Sequence, residues 1–228
     1  MNTSGRHFLQ IPGPTNVPDR VLNAINRPTA LIMGGSKVSD KIGVARNLLK
    51  KVDCMLIGGG MANTFLKAQG IDVGTSKVED EMVNFAKEII NDAAINNVNL
   101  QLPSDVIVSR NIGSDSAAYS AMIQKVPNDH LIVDIGPITI KKFSEHLSQS
   151  KTIIWNGPMG IYEYKAFSNG TRRIGEYLSQ LTAVTTLIGG GSTAEAVDHF
   201  GLSSKMSHIS LGGGATLEFL EGKEQYLI

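Results

Sequence analysis

The chain has 228 residues, enough for one domain with a sizeable core, or one domain with an appendage. Its 21 Lys+Arg balance 21 Asp+Glu, so bulk charge favours neither nucleic acid nor an anionic membrane as partner, and any anion site must be local. A single cysteine, Cys54, excludes an internal disulfide and a multi-cysteine metal centre; it suits a reducing, cytoplasmic setting and reads as a small core residue.

Residues 1–29 hold Pro12, Pro14, Pro18 and Pro28, half of the eight prolines, a density that no strand or long helix tolerates. They read as an extended, irregular arm, with Arg6 and early prolines where a signal peptide would need an apolar stretch. From Ala30 onward strand and helix patterns alternate. Residues 30–33 are an apolar run entering Gly34-Gly35-Ser36-Lys37, and Ser39 then caps a helix with Ile42, Ala45, Leu48, Leu49 and Val52 on one face. Residues 54–57 enter Gly58-Gly59-Gly60, and Ser76-Lys77-Val78-Glu79 has capping-box form before Met82, Phe85, Ala86, Ile89 and Ile90. Residues 105–109 and 131–135 are further strands, and 143–147 a helix. Residues 153–156 run into Gly157-Pro158, helix 174–181 follows, and 184–188 enter Gly189-Gly190-Gly191 ahead of helix 194–200. The last run, 208–211, meets Gly212-Gly213-Gly214. No stretch approaches the roughly 20 apolar residues of a membrane span.

This alternation predicts an α/β fold: a doubly wound, mostly parallel, Rossmann-like sheet of about six strands. Glycine turns after parallel strands collect at one sheet edge, where bare N–H groups and helix N-termini can hold a phosphate. A Walker A loop is excluded, because Glu224 follows the only Gly-Lys pair, Gly222-Lys223. The dinucleotide fingerprint is met once, from Gly189 to Ala194, but the strand that should end in a ribose-binding carboxylate ends before Gly212 instead. A nicotinamide enzyme is therefore the runner-up. Lys37 and Lys41, spaced i and i+4 at a helix start, oppose the macrodipole unless an anion sits there; a solvated helix start with Asp40 as partial compensation is the plain alternative. Histidines 7, 130, 146, 199 and 208 lack metal-ligand spacing, and Trp155 reads as core.

Taken together and in order, six motifs resemble the C-terminal, nucleotide-binding domain of the phosphoglycerate kinase family over residues 28 to about 224. They are Gly34-Gly35-Ser36-Lys37-Val38-Ser39-Asp40-Lys41-Ile42, Ile57 to Ala62, Asp134-Ile135-Gly136-Pro137, Trp155 to Glu163, Gly189 to Ala194, and Gly212 to Glu218. The resemblance implies binding of ADP or ATP with Mg2+, and phosphoryl transfer between 1,3-bisphosphoglycerate/3-phosphoglycerate and ADP/ATP in glycolysis. It implies that Lys37 and Lys41 contact the nucleotide phosphates, with Gly34 and Gly35 beside them. Gly60 and Gly136 would border the adenine, and Asn156, Pro158 and Ile161 would line the nucleotide. Glu163 would receive the ribose hydroxyls, and Gly190, Gly191, Ser192 and Thr193 would offer a helix N-terminus. Gly213 would face the transferring group, so Lys37, Lys41, Gly190 and Gly213 form the implied catalytic set.

Two departures qualify the likeness. The family usually has Asp, its protein ligand to magnesium, where this chain has Ser192, a neutral and weaker partner for a hard cation. The family's acceptor-binding domain has no counterpart in these residues, so the expectation is nucleotide binding with little or no turnover; a non-catalytic fragment or interaction module is the alternative. Exposure of the former interdomain face leaves oligomerisation through it open. In place of that domain, His7 to Thr29 look like the amino-terminal segment of an alanine/serine-glyoxylate aminotransferase, without that family's chemistry. The expected organisation is thus arm 1–29, nucleotide-binding domain 30–224 and an unmatched tail 225–228.

Overall fold

A computed structural model describes residues 26–210 of the chain. The arm up to residue 25, the turn at Gly212-Gly213-Gly214 and the tail 225–228 lie outside the described residues. Within them the strands are β1 (Thr29–Met33), β2 (Cys54–Ile57), β3 (Asn99–Gln101), β4 (Asp105–Ser109), β5 (Ala118–Met122), β6 (Leu131–Ile135), β7 (Thr152–Asn156), β8 (Thr185–Gly189) and β9 (His208–Ser210). The helices are α1 (Ile42–Leu49), α2 (Met61–Ala68), α3 (Val83–Ile95), α4 (Pro137–Leu147), α5 (Asn169–Leu178) and α6 (Gly191–His199).

The main sheet has six strands in the order β3-β2-β1-β7-β8-β9, all parallel. Its central strands are apolar on both faces, as burial under helices on each side requires. Along β1 the side chains alternate between two cores. Leu31 and Met33 pack with Leu48 of α1, Phe65 of α2 and Ile89 of α3, whereas Ala30 and Ile32 pack with Phe143 of α4, Ile174 of α5 and Val197 of α6. Trp155, 0% exposed, is the largest side chain of the second core, and its indole N–H donates to Gly157 O at 2.8 Å. Cys54 is a buried core residue as expected.

Besides the unread helix α2 and edge strand β3, three details depart from the sequence reading. Residues 105–109 and 131–135 are strands, but they leave the parallel sheet and pair antiparallel with β5 in a second sheet ordered β5-β4-β6. The unread strand β5 is half polar and exposed, so periodicity concealed it. Ser39 does not cap α1. It opens a short 3-10 turn, Ser39–Lys41, and α1 starts only at Ile42. The capping box at residues 76–79 is not formed either, since α3 begins at Val83, Ser76 Oγ donates to Val73 O at 2.5 Å, and Glu79 bonds elsewhere.

Candidate functional site

Chain order reverses between β1 and β7: the connections from β1 run towards β2 and β3, those from β7 towards β8 and β9. Open α/β sheets bind ligands at the carboxyl ends of such a pair. Here that edge is built from glycine turns stitched to one another. Gly34 N–H donates to Asn156 O at 2.9 Å and Gly35 N–H to Pro158 O at 2.8 Å. Gly59 N–H donates to Met159 O at 3.1 Å, and Met61 N–H, at the start of α2, to Gly35 O at 2.9 Å. The closeness explains the residue type. A Cβ on Gly34 would overlap the Pro158 carbonyl oxygen, and one on Gly157, whose φ is +100°, would overlap the Gly34 carbonyl.

Over this crossing lies Lys41. Its Nζ donates to Oδ1 of Asn156, whose side chain is wholly buried at the end of β7. Burial lowers the Lys41 ammonium to about 8, against the opposing pull of Asp40. Asn156 Nδ2 is buried with no hydrogen-bond partner among the described residues. Gly190, at φ +88°, precedes α6, and a Cβ there would sit 3.3 Å from Asn156 Oδ1 and 3.6 Å from Thr193 Oγ1. Thr193 Oγ1 in turn accepts the Gly157 N–H at 2.6 Å. The structure therefore brings Gly34, Gly35, Lys41, Gly60, Asn156, Pro158, Gly190 and Thr193 to one edge; Gly60 joins through Ser36, whose Cα would lie 3.2 Å from a Cβ on it.

Other predicted residues stand further out. Lys37 is exposed on the turn after β1. Ile161 ties the loop after β7 to the second sheet, donating its N–H to Val133 O at 3.0 Å, and Glu163 is exposed beside Tyr162. Gly136 is glycine for a packing reason: a Cβ there would overlap the Asp105 carboxylate. Gly191 and Ser192 open α6, with Ser192 exposed. Gly213 lies outside the described residues.

For a metal, the described residues offer no group of three or more His, Cys, Asp or Glu side chains that could hold one. The exposed, neutral Ser192 hydroxyl does not change that. These residues do not fit a protein-held magnesium ion by themselves.

Sequence reasoning placed Asp134 in a motif but gave it no role. An acidic residue inside the apolar run of β6 was the available signal. Its Oδ2 accepts the Gly170 N–H at 2.6 Å and its Oδ1 the Ile135 N–H at 2.9 Å, while Gly160 and Gly170 leave no room for a Cβ beside it. Burial raises the Asp134 carboxyl to about 8, against those two backbone donors. Asp134 thus anchors the end of β6 to the start of α5, with Gly160 of the loop after β7 packed against it.

Sheet order, helices on both faces and a glycine-lined crevice at the β1/β7 edge define a doubly wound α/β domain. The phosphoglycerate kinase family model matches residues 15–223, and the chain belongs to that family. It is 49% identical over 198 residues to the phosphoglycerate kinase of Clostridioides difficile (strain 630), covering 87% of this chain and 50% of that protein. It is 50% identical over 200 residues to that of Thermosynechococcus vestitus, again covering 87% of this chain and 50% of the relative. The structure of phosphoglycerate kinase from Coxiella burnetii superposes with a TM-score of 0.87 at 44% identity, covering 90% of this chain and 53% of that one. The chain spans about half the length of the curated relatives it matches.

One expectation is corrected by these matches. The likeness of residues 7–29 to an aminotransferase finds no support, and the family match begins at residue 15, inside that segment. The nicotinamide reading likewise gives way to the family assignment. No helix among the described residues is long and apolar enough to cross a membrane.

Proposed function

We propose that residues 30–224 are the nucleotide-binding half of a phosphoglycerate-kinase-type phosphotransferase, binding ADP or ATP at the β1/β7 edge. The observation that supports this best is Asn156. Its oxygen holds the Lys41 ammonium and its buried Nδ2 lacks a partner among the described residues, beside the N-terminus of α6. An unsatisfied buried donor costs about 1–3 kcal/mol, which a phosphate oxygen would recover. Lys41 supplies positive charge there, Lys37 adds a second, and Gly190, Gly191, Ser192 and Thr193 offer backbone N–H groups. Gly34, Gly35, Gly60, Gly136, Pro158 and Ile161 shape the walls and Glu163 meets the ribose; family likeness assigns Gly213 to the transferring group. Phosphoryl transfer needs such positioned charge and donors rather than a covalent nucleophile. Any magnesium enters on the nucleotide's own phosphates.

In the family reaction the phosphoryl group passes between 1,3-bisphosphoglycerate/3-phosphoglycerate and ADP/ATP, a step of cytoplasmic glycolysis. We place the acceptor site on the half of the relatives that this chain does not match. Holding both reactants in line is worth roughly 7–11 kcal/mol, so the chain alone binds nucleotide with little or no turnover. Self-association through the face turned towards that other half belongs to the same proposal.

Calorimetry with ADP and ATP on the folded chain tests the binding. Lys37→Ala should weaken it by roughly 1.5–3 kcal/mol, the worth of a charge-assisted contact. The exposed Ser192 hydroxyl favours a second reading, a non-catalytic fragment or interaction module with a weakened site; Lys37→Ala would then leave the response to nucleotide unchanged. Measurable 3-phosphoglycerate-dependent ATP consumption by the pure chain would overturn the claim of inactivity.

A further inference from the structure

Glu79 completes the apparent capping box at residues 76–79, yet it serves another part of the fold. Its Oε2 accepts the N–H of Val38 at 2.5 Å and that of Ser39 at 3.2 Å, and its Oε1 accepts the Ser39 hydroxyl at 2.7 Å. These donors lie between Lys37 and Lys41, and Lys41 N–H closes the turn onto Val38 O at 2.9 Å. The first N–H groups of a helical turn need an outside partner. No residue at the start of the Ser39–Lys41 turn caps it; a carboxylate from the loop after α2 does. Glu79 is itself held to α2. Its N–H donates to Thr64 Oγ1 at 3.2 Å, and the neighbouring Lys77 carbonyl accepts from Asn63 Nδ2 at 3.3 Å, both partners being buried.

We propose that Glu79 is a positioning residue for the phosphate-binding lysines, clamping the Lys37–Lys41 turn to α2 so that Lys41 is already directed at Asn156 before nucleotide arrives. The proposal rests on the nucleotide-binding reading above. Ordering a loop and its long side chains at the moment of binding weakens affinity, and a turn fixed in advance avoids that loss. The shortest of the three bonds goes to Val38, 1% exposed and packed in the core with α1 and α2, so the clamp is rooted in the fold, while the two bonds to Ser39 lie on its exposed side.

The test compares the full chain with Glu79→Ala and Glu79→Gln. Calorimetry is run with ADP and with adenosine, which lacks phosphate, alongside amide hydrogen exchange at Val38 and Ser39. Glu79→Ala is expected to weaken ADP about tenfold, the scale of ordering two side chains, to leave adenosine unchanged and to speed exchange at both amides. Glu79→Gln, which keeps a carbonyl acceptor, should retain most of the ADP affinity. Unchanged ADP affinity in Glu79→Ala, or an equal loss for ADP and adenosine, overturns the proposal. A wild-type chain that binds no ADP sinks the nucleotide reading instead. Exchange then decides whether Glu79 holds the turn: unaltered protection of Val38 and Ser39 in Glu79→Ala refutes the clamp, and loss confined to those amides upholds it.

Discussion

Thr193 Oγ1 accepts the N–H of Gly157 at 2.6 Å, fastening the first turn of α6 to the turn that leaves β7. Both residues are buried, so water cannot replace either partner. The bond sets the helix N-terminus against Asn156, the centre of the candidate site. Thr193→Val keeps the shape and removes the acceptor. We expect a stability loss of about 1–3 kcal/mol in urea unfolding, with Thr193→Ser retaining most of it; a valine variant as stable as wild type would show that the bond contributes nothing.

The crossing of Gly34 and Gly157 should be equally intolerant. Gly157→Ala sets a Cβ against the Gly34 carbonyl at a φ of +100°. Overpacking and left-handed strain together predict a loss of about 2–5 kcal/mol. Gly191 has nothing within 4 Å of a Cβ, so Gly191→Ala should stay within about 0.5 kcal/mol of wild type. Thermal unfolding of the two variants side by side checks the contrast.

Lys41 should register phosphate through its proton. Burial holds its ammonium near 8, and a bound anion would raise that value again. At pH 8 nucleotide binding should therefore take up protons, seen as a binding enthalpy that varies with the ionisation enthalpy of the buffer. Lys41→Met should lose the uptake and weaken ADP. Buffer-independent heat in the wild-type chain would place Lys41 away from the phosphates.

Asp134 predicts a pH dependence of stability. Its carboxyl is raised from 3.8 to about 8 on folding, so the folded chain keeps a proton that the unfolded chain releases. The contribution is full below about pH 4 and is lost as the pH rises towards about 8. Asp134→Asn cannot titrate, so its stability relative to wild type should improve steadily across that interval. Parallel urea midpoints for both proteins from pH 4.5 to 8.5 would contradict this.

Much of this fold was legible because apolar runs of four or five residues ended in glycine. In a parallel sheet such runs must be buried on both faces and their exits must share one edge, so β1, β2, β7 and β8 could be read directly. The second sheet was not legible. Strand pairing is non-local, and nothing in residues 105–109 or 131–135 distinguishes a parallel neighbour from the antiparallel partner β5. The capping motifs misled for a related reason: the carboxylate of Glu79 meets its donors on Val38 and Ser39, 41 and 40 residues away, rather than at the start of the helix that follows it. At the site, spacing marked Lys37 and Lys41 as a pair. Only packing shows that Lys41 turns inward to Asn156 while Lys37 remains exposed.

Whether nucleotide phosphates bind where β1, β7 and α6 meet is best decided by following backbone amides through an ADP titration by NMR. Binding at that edge predicts saturable shifts at Gly35, Lys41, Gly190, Gly191 and Thr193, with the second sheet around Ile107 and Ser120 unmoved. No shifts at millimolar ADP from a folded sample, or shifts centred on the second sheet, would contradict it.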